Sequence, residues 1–91
     1  MKIEPIRQVG SSRQGTLVNL YKKDIETVLG FSDNVTDLDD PDKVSLSWGF
    51  TADGIRCGIW SYRDSHNVMM WSTYGPHVVF YKLFGDNYER D

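Results

Sequence analysis

The chain has 91 residues, of which 25% are charged and 13% are aromatic, and its formal net charge is −3. This length predicts one domain spanning residues 1–91. The mildly acidic balance argues against a protein that binds DNA or RNA without sequence preference, because such proteins carry a clustered basic excess. It is compatible with a pocket in which two or three cations hold one small phosphorylated ligand.

The composition also indicates a compartment and an assembly state. Cys57 is the only cysteine, so no intramolecular disulfide can form, and a reducing cytoplasm fits best. No segment approaches the roughly 20 apolar residues of a membrane span, and the first ten residues lack the apolar run of a signal peptide. We therefore expect a soluble, intracellular protein. Because a chain this short buries only roughly 60–65% of its unfolded surface, we also expect self-association.

The first third of the chain predicts an extended segment followed by a helix. Residues 2–9 place apolar residues around Pro5, which fits either a short edge strand or an extended arm. A polar loop bracketed by glycines follows, and residues 16–29 then carry apolar side chains at helical spacing. In this helix Thr16 is the expected N-cap, and Gly30 lies just past the C-terminus.

Residues 32–42 hold five aspartates and one proline, which predicts a surface loop. Several carboxylates lie close together, so a calcium site has to be weighed. The spacing does not match one, because the segment has neither a central glycine turn nor a glutamate at the last ligand position. A solvated acidic loop is therefore the favoured interpretation, and we predict no metal site and no cofactor.

Residues 43–62 predict a β-hairpin, because alternating apolar residues flank Asp53-Gly54, a dipeptide typical of tight hairpin turns. A two-residue loop pairs Phe50 with Cys57 and Gly49 with Gly58. It also separates two faces. One face carries the expected core: Val44, Leu46, Trp48, Phe50, Cys57 and Ile59. The other carries Ser45, Ser47, Gly49, Thr51, Arg56, Gly58, Trp60 and Tyr62, and a monomer has no evident way to cover it. A three-residue loop, 52–54, would shift this register by one.

The last third predicts one more strand and a short helix. Residues 68–74 have the composition of a third strand, and Gly75-Pro76 is typical of a helix start. Residues 76–84 form the short helix, and Gly85 ends it. The polar tail after it is expected to fray. The predicted fold class is α+β: a three- to four-stranded antiparallel sheet built on the central hairpin, with one longer and one short helix packed on one face.

Common catalytic motifs do not occur in the sequence. We find no nucleophile elbow, Walker loop, paired-cysteine zinc motif or dinucleotide-binding glycine pattern. Only His66 and His77 could serve as general bases near neutral pH. Histidines in such positions are more often structural or solvent-facing, so we expect a protein that is not an enzyme.

Three features favour binding of a ligand with bases and phosphates. A polar loop precedes the first helix, where free backbone amides favour an anion. Two arginines on the hairpin offer bidentate contacts, and aromatic side chains offer stacking surfaces. Each aromatic alone is more often core or subunit interface. The candidate ligand-binding residues are Ser11, Ser12, Arg13, Gln14, Arg56, Trp60, Tyr62, Arg63, Trp71, Tyr74 and His77.

A set of short motifs runs through residues 10–88: Leu-Gly-Phe at the end of the first helix, then DPDKVSLSWGF, DG, CGIWSYRDS, WSTYGP and LFGDNY. This pattern resembles a family of small bacteriophage proteins. The resemblance implies a sponge against CBASS immunity, which binds the cyclic dinucleotide 3′,3′-cGAMP without cleaving it. It also implies a homo-oligomer, a dimer or tetramer, that holds the ligand between subunits in the host cytoplasm.

The leading hypothesis is therefore a viral immune-evasion protein that sequesters a cyclic-nucleotide signal. A second hypothesis is a protein-protein inhibitor or accessory factor that docks on a host protein through the face carrying Trp60 and Tyr62. A third, less favoured, is a small enzyme that uses His77.

Overall fold

The structure is a computed structural model that describes residues 1–6, 12–33, 44–62 and 69–91, without the side chains of residues 44, 45 and 62. Its elements in chain order are β1 (Ile3–Pro5), β2 (Gly15–Leu17), α1 (Lys22–Leu29), β3 (Val44–Ala52), β4 (Ile55–Tyr62), β5 (Trp71–Tyr74), α2 (His77–Phe84), a 3-10 turn (Gly85–Asn87) and β6 (Tyr88–Arg90). The predictions for residues 7–11, 34–43 and 63–68 lie outside the described residues. The predicted α+β class is confirmed.

The sheet is antiparallel, as predicted, but the described residues contribute six strands to it, in the order β1-β3-β4-β5-β2-β6. The prediction of three to four strands is wrong. The strands that the sequence did not indicate as such are β2 and β6, each three residues long. At the opposite edge, β1 pairs with β3 through Ile3 and Ala52, so the first segment forms an edge strand.

The central hairpin follows the predicted two-residue register over most of its length. Asp53 and Gly54 have φ angles of 51° and 81°, the left-handed values that a tight hairpin turn requires. Phe50 pairs with Cys57, and Gly49 with Gly58. The register shifts between Val44 and Leu46, so the expected pairing of Ser45 with residue 62 is replaced by pairing of Val44.

The edge strand β1 holds this turn in place. The backbone N–H of Asp53 donates to the carbonyl of Lys2 at 2.9 Å, and the backbone N–H of Lys2 donates to Asp53 Oδ1 at 2.8 Å. The carboxylate therefore ties the hairpin tip to the start of the chain.

The first helix is shorter than predicted. It begins at Lys22 instead of residue 16, and Thr16 lies in β2 rather than at an N-cap. Asn19 has a positive φ of 60°, which interrupts a helical path, and the Asp24 carboxylate accepts the backbone N–H of Tyr21 at the true start. Pairing of β2 with strands on both sides outweighs the local helical periodicity, since short helices gain little on their own. Gly30 follows the helix with φ 87°, as expected.

The end of the chain is ordered into the sheet, so the prediction of a frayed tail is wrong. The third strand begins at Trp71, later than predicted, because residues 69 and 70 lie outside it, and α2 ends before Gly85 as predicted. The tail then turns back and pairs with β2. Tyr88 is only 3% exposed, and its ring stacks on Phe80 with 5.2 Å between ring centroids. Burial of this ring is a reason why the polar tail does not fray.

Both helices contribute to one hydrophobic cluster on the predicted core face. Two tryptophans anchor the segments that flank α1, because Trp71 Nε1 donates to the carbonyl of Leu20 and Trp48 Nε1 to that of Phe31. Their rings also meet edge to face at 5.4 Å. The cluster consists of Leu17, Ile25, Leu29, Trp48, Phe50, Ala52, Cys57, Ile59, Trp71, Val79, Phe80, Phe84 and Tyr88.

The opposite face of the sheet is closed at its centre, contrary to the expectation of an uncovered surface. Trp60 and Ser47 are each 3% exposed, and Gly49 and Gly58 are buried between them and Tyr74 along the register. Thr51 and Arg56, nearer the turn, keep solvent access. This face therefore does not require a second subunit to bury its central tryptophan.

Candidate functional site

Several candidate residues gather at one end of the sheet, where β2 begins and β5 ends. The register pairs Gly15 with Thr73 and Gly58 with Tyr74, so the residues just before β2 lie beside those just after β5. The backbone of Arg56 adjoins the same end, because a Cβ on Gly75 would lie 3.3 Å from its carbonyl oxygen. We call this group the polar end: Ser12, Arg13, Gln14, Arg56, Tyr74 and His77.

Gln14 connects the two segments of the polar end. Its backbone N–H donates to the carbonyl of Thr73 at 2.7 Å, and its side-chain Oε1 accepts the backbone N–H of Gly75 at 3.2 Å. Its own carbonyl accepts the N–H of Asp91 at 3.3 Å. The amide oxygen is therefore engaged in holding the two segments together.

The two arginines of the polar end differ in their partners. Arg13 Nε donates to Asp91 Oδ2 at 3.0 Å, and both side chains are about half exposed. Arg56 is exposed, and across the described parts of the chain its guanidinium has no ion pair. Arg56 is therefore the better candidate of the two for binding an anionic group, because its guanidinium does not have to leave a carboxylate first.

His77 belongs to a second set of contacts directed into the core. Its Nδ1 is hydrogen-bonded to the hydroxyl of Tyr88, and the half-buried imidazole lies against the buried phenol ring. Burial raises the pKa of Tyr88, although the nearby Thr73 side chain partly offsets this effect. The hydroxyl therefore keeps its proton at neutral pH and above.

Gly15 makes room for this phenol. A Cβ at Gly15 would lie 2.4 Å from the Tyr88 hydroxyl oxygen, so the hydroxyl sits directly over the Gly15–Thr73 pair. Thr73 is fully buried, and its Oγ1 has no hydrogen-bond partner within the described ranges. This hydroxyl lies close enough to Tyr88 to lower its pKa, although the two groups do not meet the geometry of a hydrogen bond.

Two of the predicted stacking residues lie elsewhere. Trp71 is in the hydrophobic core and Trp60 is under the opposite face, each 3% exposed, so neither ring offers an open surface to a base in this structure. The side chain of Tyr62, together with Ser11, Arg63 and His66, lies outside the described residues. Burial of Trp60 also removes support from the docking hypothesis that depended on its exposure.

Sequence reasoning missed Tyr88, Thr73 and Asp91. The only signal for Tyr88 is one aromatic residue in a six-residue polar tail, and three alternating residues are too few to identify a strand. Thr73 was included in a predicted strand, but its partners depend on pairing with residue 15, far away in sequence.

The thiol of Cys57 is not a reactive group in this fold. It is 3% exposed, and burial raises its pKa to about 11. Because the thiolate is the nucleophilic form, the side chain acts at neutral pH as a small apolar residue. Among the described residues, no three histidine, cysteine or carboxylate side chains converge on a point where a metal ion could bind.

Comparison with known proteins gives no family for this chain: no family model, no curated protein and no solved structure matches it. Within the described ranges, neither helix has the length and apolar character needed to cross a membrane. The functional argument therefore depends on the geometry of the polar end.

Proposed function

We propose that this protein binds a phosphorylated, base-containing ligand at the polar end, and that the ligand is a cyclic dinucleotide defence signal such as 3′,3′-cGAMP. In this proposal the protein is a viral immune-evasion sponge in the host cytoplasm, which sequesters the signal without cleaving it. The observation that carries the proposal is the strand register, which brings the backbone segments of Arg13 and Gln14, of Arg56, and of His77 at the start of α2 to one end of the sheet. The choice of a cyclic dinucleotide rests on the sequence resemblance.

Each residue of the polar end has a chemical role in this proposal. Arg56 is the primary phosphate ligand, because its guanidinium is exposed and no carboxylate in the described structure competes for it. Arg13 reaches a phosphate only by sharing or releasing Asp91. The half-buried ring of Tyr74 supplies a surface for a base, and stacking of this kind is worth about 1–3 kcal/mol per base.

A homo-oligomer, dimer or tetramer, completes the pocket in this proposal. A cyclic dinucleotide has two bases and two phosphates, while one polar end has a single half-buried aromatic side chain, Tyr74. Two copies of the polar end would offer two such rings and four arginines. Native mass spectrometry with and without ligand measures the subunit number.

Calorimetry with a panel of cyclic dinucleotides and trinucleotides tests the proposal. We expect saturable heat with at least one member and recovery of the intact ligand after the protein is denatured. Cleaved ligand would instead support the enzyme hypothesis, in which His77→Ala abolishes turnover. Absence of heat for every member, with protein shown to be folded, contradicts the proposed function.

Arg56→Gln is the variant that ties binding to the polar end. Loss of a charge-assisted hydrogen bond predicts roughly tenfold weaker binding. Lys23→Gln is the matched control, because Lys23 is an exposed cation on α1 that belongs to no part of the polar end. Equal affinities for the two variants would place the ligand elsewhere.

A further inference from the structure

The buried contacts behind His77 determine how its ring can meet a ligand. The Tyr88 hydroxyl bonds Nδ1, and within the described structure Nε2 has no hydrogen bond. Tyr88 is 3% exposed and His77 is half-buried, so the Nδ1 side of the imidazole is the side that contacts the core. Only one of these nitrogens carries a proton in neutral imidazole, so the direction of the Tyr88 bond decides what Nε2 offers.

Chemistry favours Tyr88 as the donor in this bond. A phenol is a better donor than acceptor, because its oxygen lone pair is delocalised into the ring, whereas the unprotonated imidazole nitrogen is a good acceptor. The nearby Thr73 hydroxyl has no other partner in the described structure and can direct its own proton toward the phenol oxygen. In that arrangement Tyr88 donates to Nδ1, and Nε2 carries the imidazole proton.

We propose that Tyr88, seated over the Gly15–Thr73 pair, is a positioning residue that holds neutral His77 in the Nε2–H form and so presents an N–H donor toward the ligand. The assignment rests on the proposed function for its ligand, an anionic phosphate group. The hydrogen bond and the seat of the hydroxyl are properties of the free protein.

The groups around this pair do not supply a competing acceptor for the phenol proton. Tyr81 packs its ring edge against Tyr88 at a centroid distance of 4.9 Å, and Arg90 and Asp91 act on it electrostatically from the end of β6. The Asp91 carboxylate is bonded to Arg13. The acceptor that the structure shows in hydrogen-bond contact with the hydroxyl is His77 Nδ1.

Nitrogen NMR of ¹⁵N-histidine-labelled protein at pH 8 tests the assignment without any ligand, since the two tautomers give distinct chemical shifts. The chain has two histidines, and His77→Gln identifies which signals belong to this ring. We expect the Nε2–H form to dominate. In Tyr88→Phe the tautomer ratio should fall roughly threefold to tenfold, the range for loss of one hydrogen bond.

Two further variants keep the test decisive. Tyr81→Phe removes an exposed hydroxyl next to the same ring and should leave the tautomer ratio unchanged. Thr73→Val keeps the Tyr88 hydroxyl and should also leave the Nε2–H form dominant. A dominant Nδ1–H form in the unmodified protein, or an unchanged ratio in folded Tyr88→Phe, overturns the proposal.

Binding of 3′,3′-cGAMP separates this inference from the proposed function. Tyr88→Phe should bind roughly threefold to tenfold more weakly than the unmodified protein, while Tyr81→Phe binds equally well. If the unmodified protein binds no cyclic nucleotide, the proposed function fails and the NMR result alone decides the role of Tyr88. If Tyr88→Phe shifts the tautomer but binds equally well, Nε2 does not contact the ligand, and that part of the proposal is wrong.

Discussion

The β3–β4 hairpin and the β2–β6 pair are both antiparallel, yet they are specified in different ways. The hairpin joins neighbouring strands through a turn whose two residues adopt left-handed angles. The β2–β6 pair joins strands of three residues that lie more than 70 positions apart, from Leu17 with Tyr88 to Gly15 with Arg90. The hairpin can form from its own sequence, whereas β2–β6 requires the rest of the fold to bring the ends together.

Because its strands are not joined by a local turn, the β2–β6 pair depends on side-chain packing for its stability. Leu17 is fully buried, and Tyr88 fills the space above Gly15 while stacking on Phe80. Three residue pairs alone would not hold two short strands, because each net hydrogen bond contributes only about 1 kcal/mol. Removal of the fit between Gly15 and Tyr88 should therefore damage this region more than an equivalent change damages the hairpin turn.

Gly15→Ala should have the largest effect on stability. The added Cβ would lie 2.4–2.7 Å from three atoms of the Tyr88 ring and hydroxyl, and this ring is buried and packed against Phe80 and Tyr81. We expect a loss of about 3 kcal/mol in the free energy of unfolding, at the upper end for overpacking. Urea denaturation measures it.

Gly54→Ala is the matched change in the hairpin. No atom lies within 4 Å of a Cβ there, so only the positive φ of 81° is penalised, at about 1 kcal/mol. In the double variant Gly15→Ala/Tyr88→Ala the loss should be smaller than the sum of the single losses, because the clash is gone. Equal losses for the two glycine variants would contradict the comparison.

What could be predicted from sequence follows the same division. The hairpin and α2 were recognisable because Asp53-Gly54, Pro76 and Gly85 mark their limits locally. The first half of the predicted helix at 16–29 was wrong, since Leu17 fits a helical stripe and a strand equally well. Only the partners of β2, which no local pattern reveals, distinguish the two.

The residues of the candidate site show the same contrast between what the local sequence indicates and what depends on strand pairing. Arg13, Gln14 and Arg56 were selected for their chemistry, and strand pairing brings their backbone segments to the same end of the sheet as Tyr74. Trp71 was selected for its chemistry too, but its strand position directs it into the core. Burial depends on which face a strand turns inward, and for β5 that follows from neighbours on both sides rather than from its own four residues.

The stability of the two regions can also be compared at alkaline pH, because each region buries one acidic group with a raised pKa: Cys57 in the hairpin and Tyr88 in β6. A group whose pKa is higher in the folded state holds its proton more tightly there than in the unfolded chain. Its contribution to the free energy of unfolding is therefore fully present below the unfolded pKa and is lost as the pH rises through the folded pKa. For Cys57 this window runs from about 9 to about 11, and the expected loss is about 2 kcal/mol.

Denaturation curves at several pH values between 8 and 11 measure this loss. Cys57→Ala should flatten the decline with pH, whatever it costs at pH 8 through lost packing. Tyr81→Phe provides the control, since this substitution removes the hydroxyl of an exposed side chain and leaves the buried thiol in place. A decline in Cys57→Ala as steep as in the unmodified protein would mean that the buried thiol does not contribute.

The smallest change in stability should come from Asp91→Asn, which breaks the ion pair that ties Arg13 to the residue after β6. Both side chains are about half exposed, so the loss should stay below about 1 kcal/mol and decrease further with added salt. Glu4→Gln is the matched control at the opposite edge of the sheet, where Lys2 and Glu4 form a similarly exposed pair at 3.5 Å.

Although Asp91→Asn should lower stability, it should raise the affinity for the ligand. Arg13 can contact a phosphate in full only after it leaves the Asp91 carboxylate, so Asp91→Asn removes a competitor from the polar end. We expect roughly twofold to fivefold tighter binding of 3′,3′-cGAMP, matching the small free energy of an exposed pair, and no change for Glu4→Gln. Weaker binding by Asp91→Asn would instead mean that the ion pair holds Arg13 in its binding position, so that the carboxylate assists the ligand rather than competing with it.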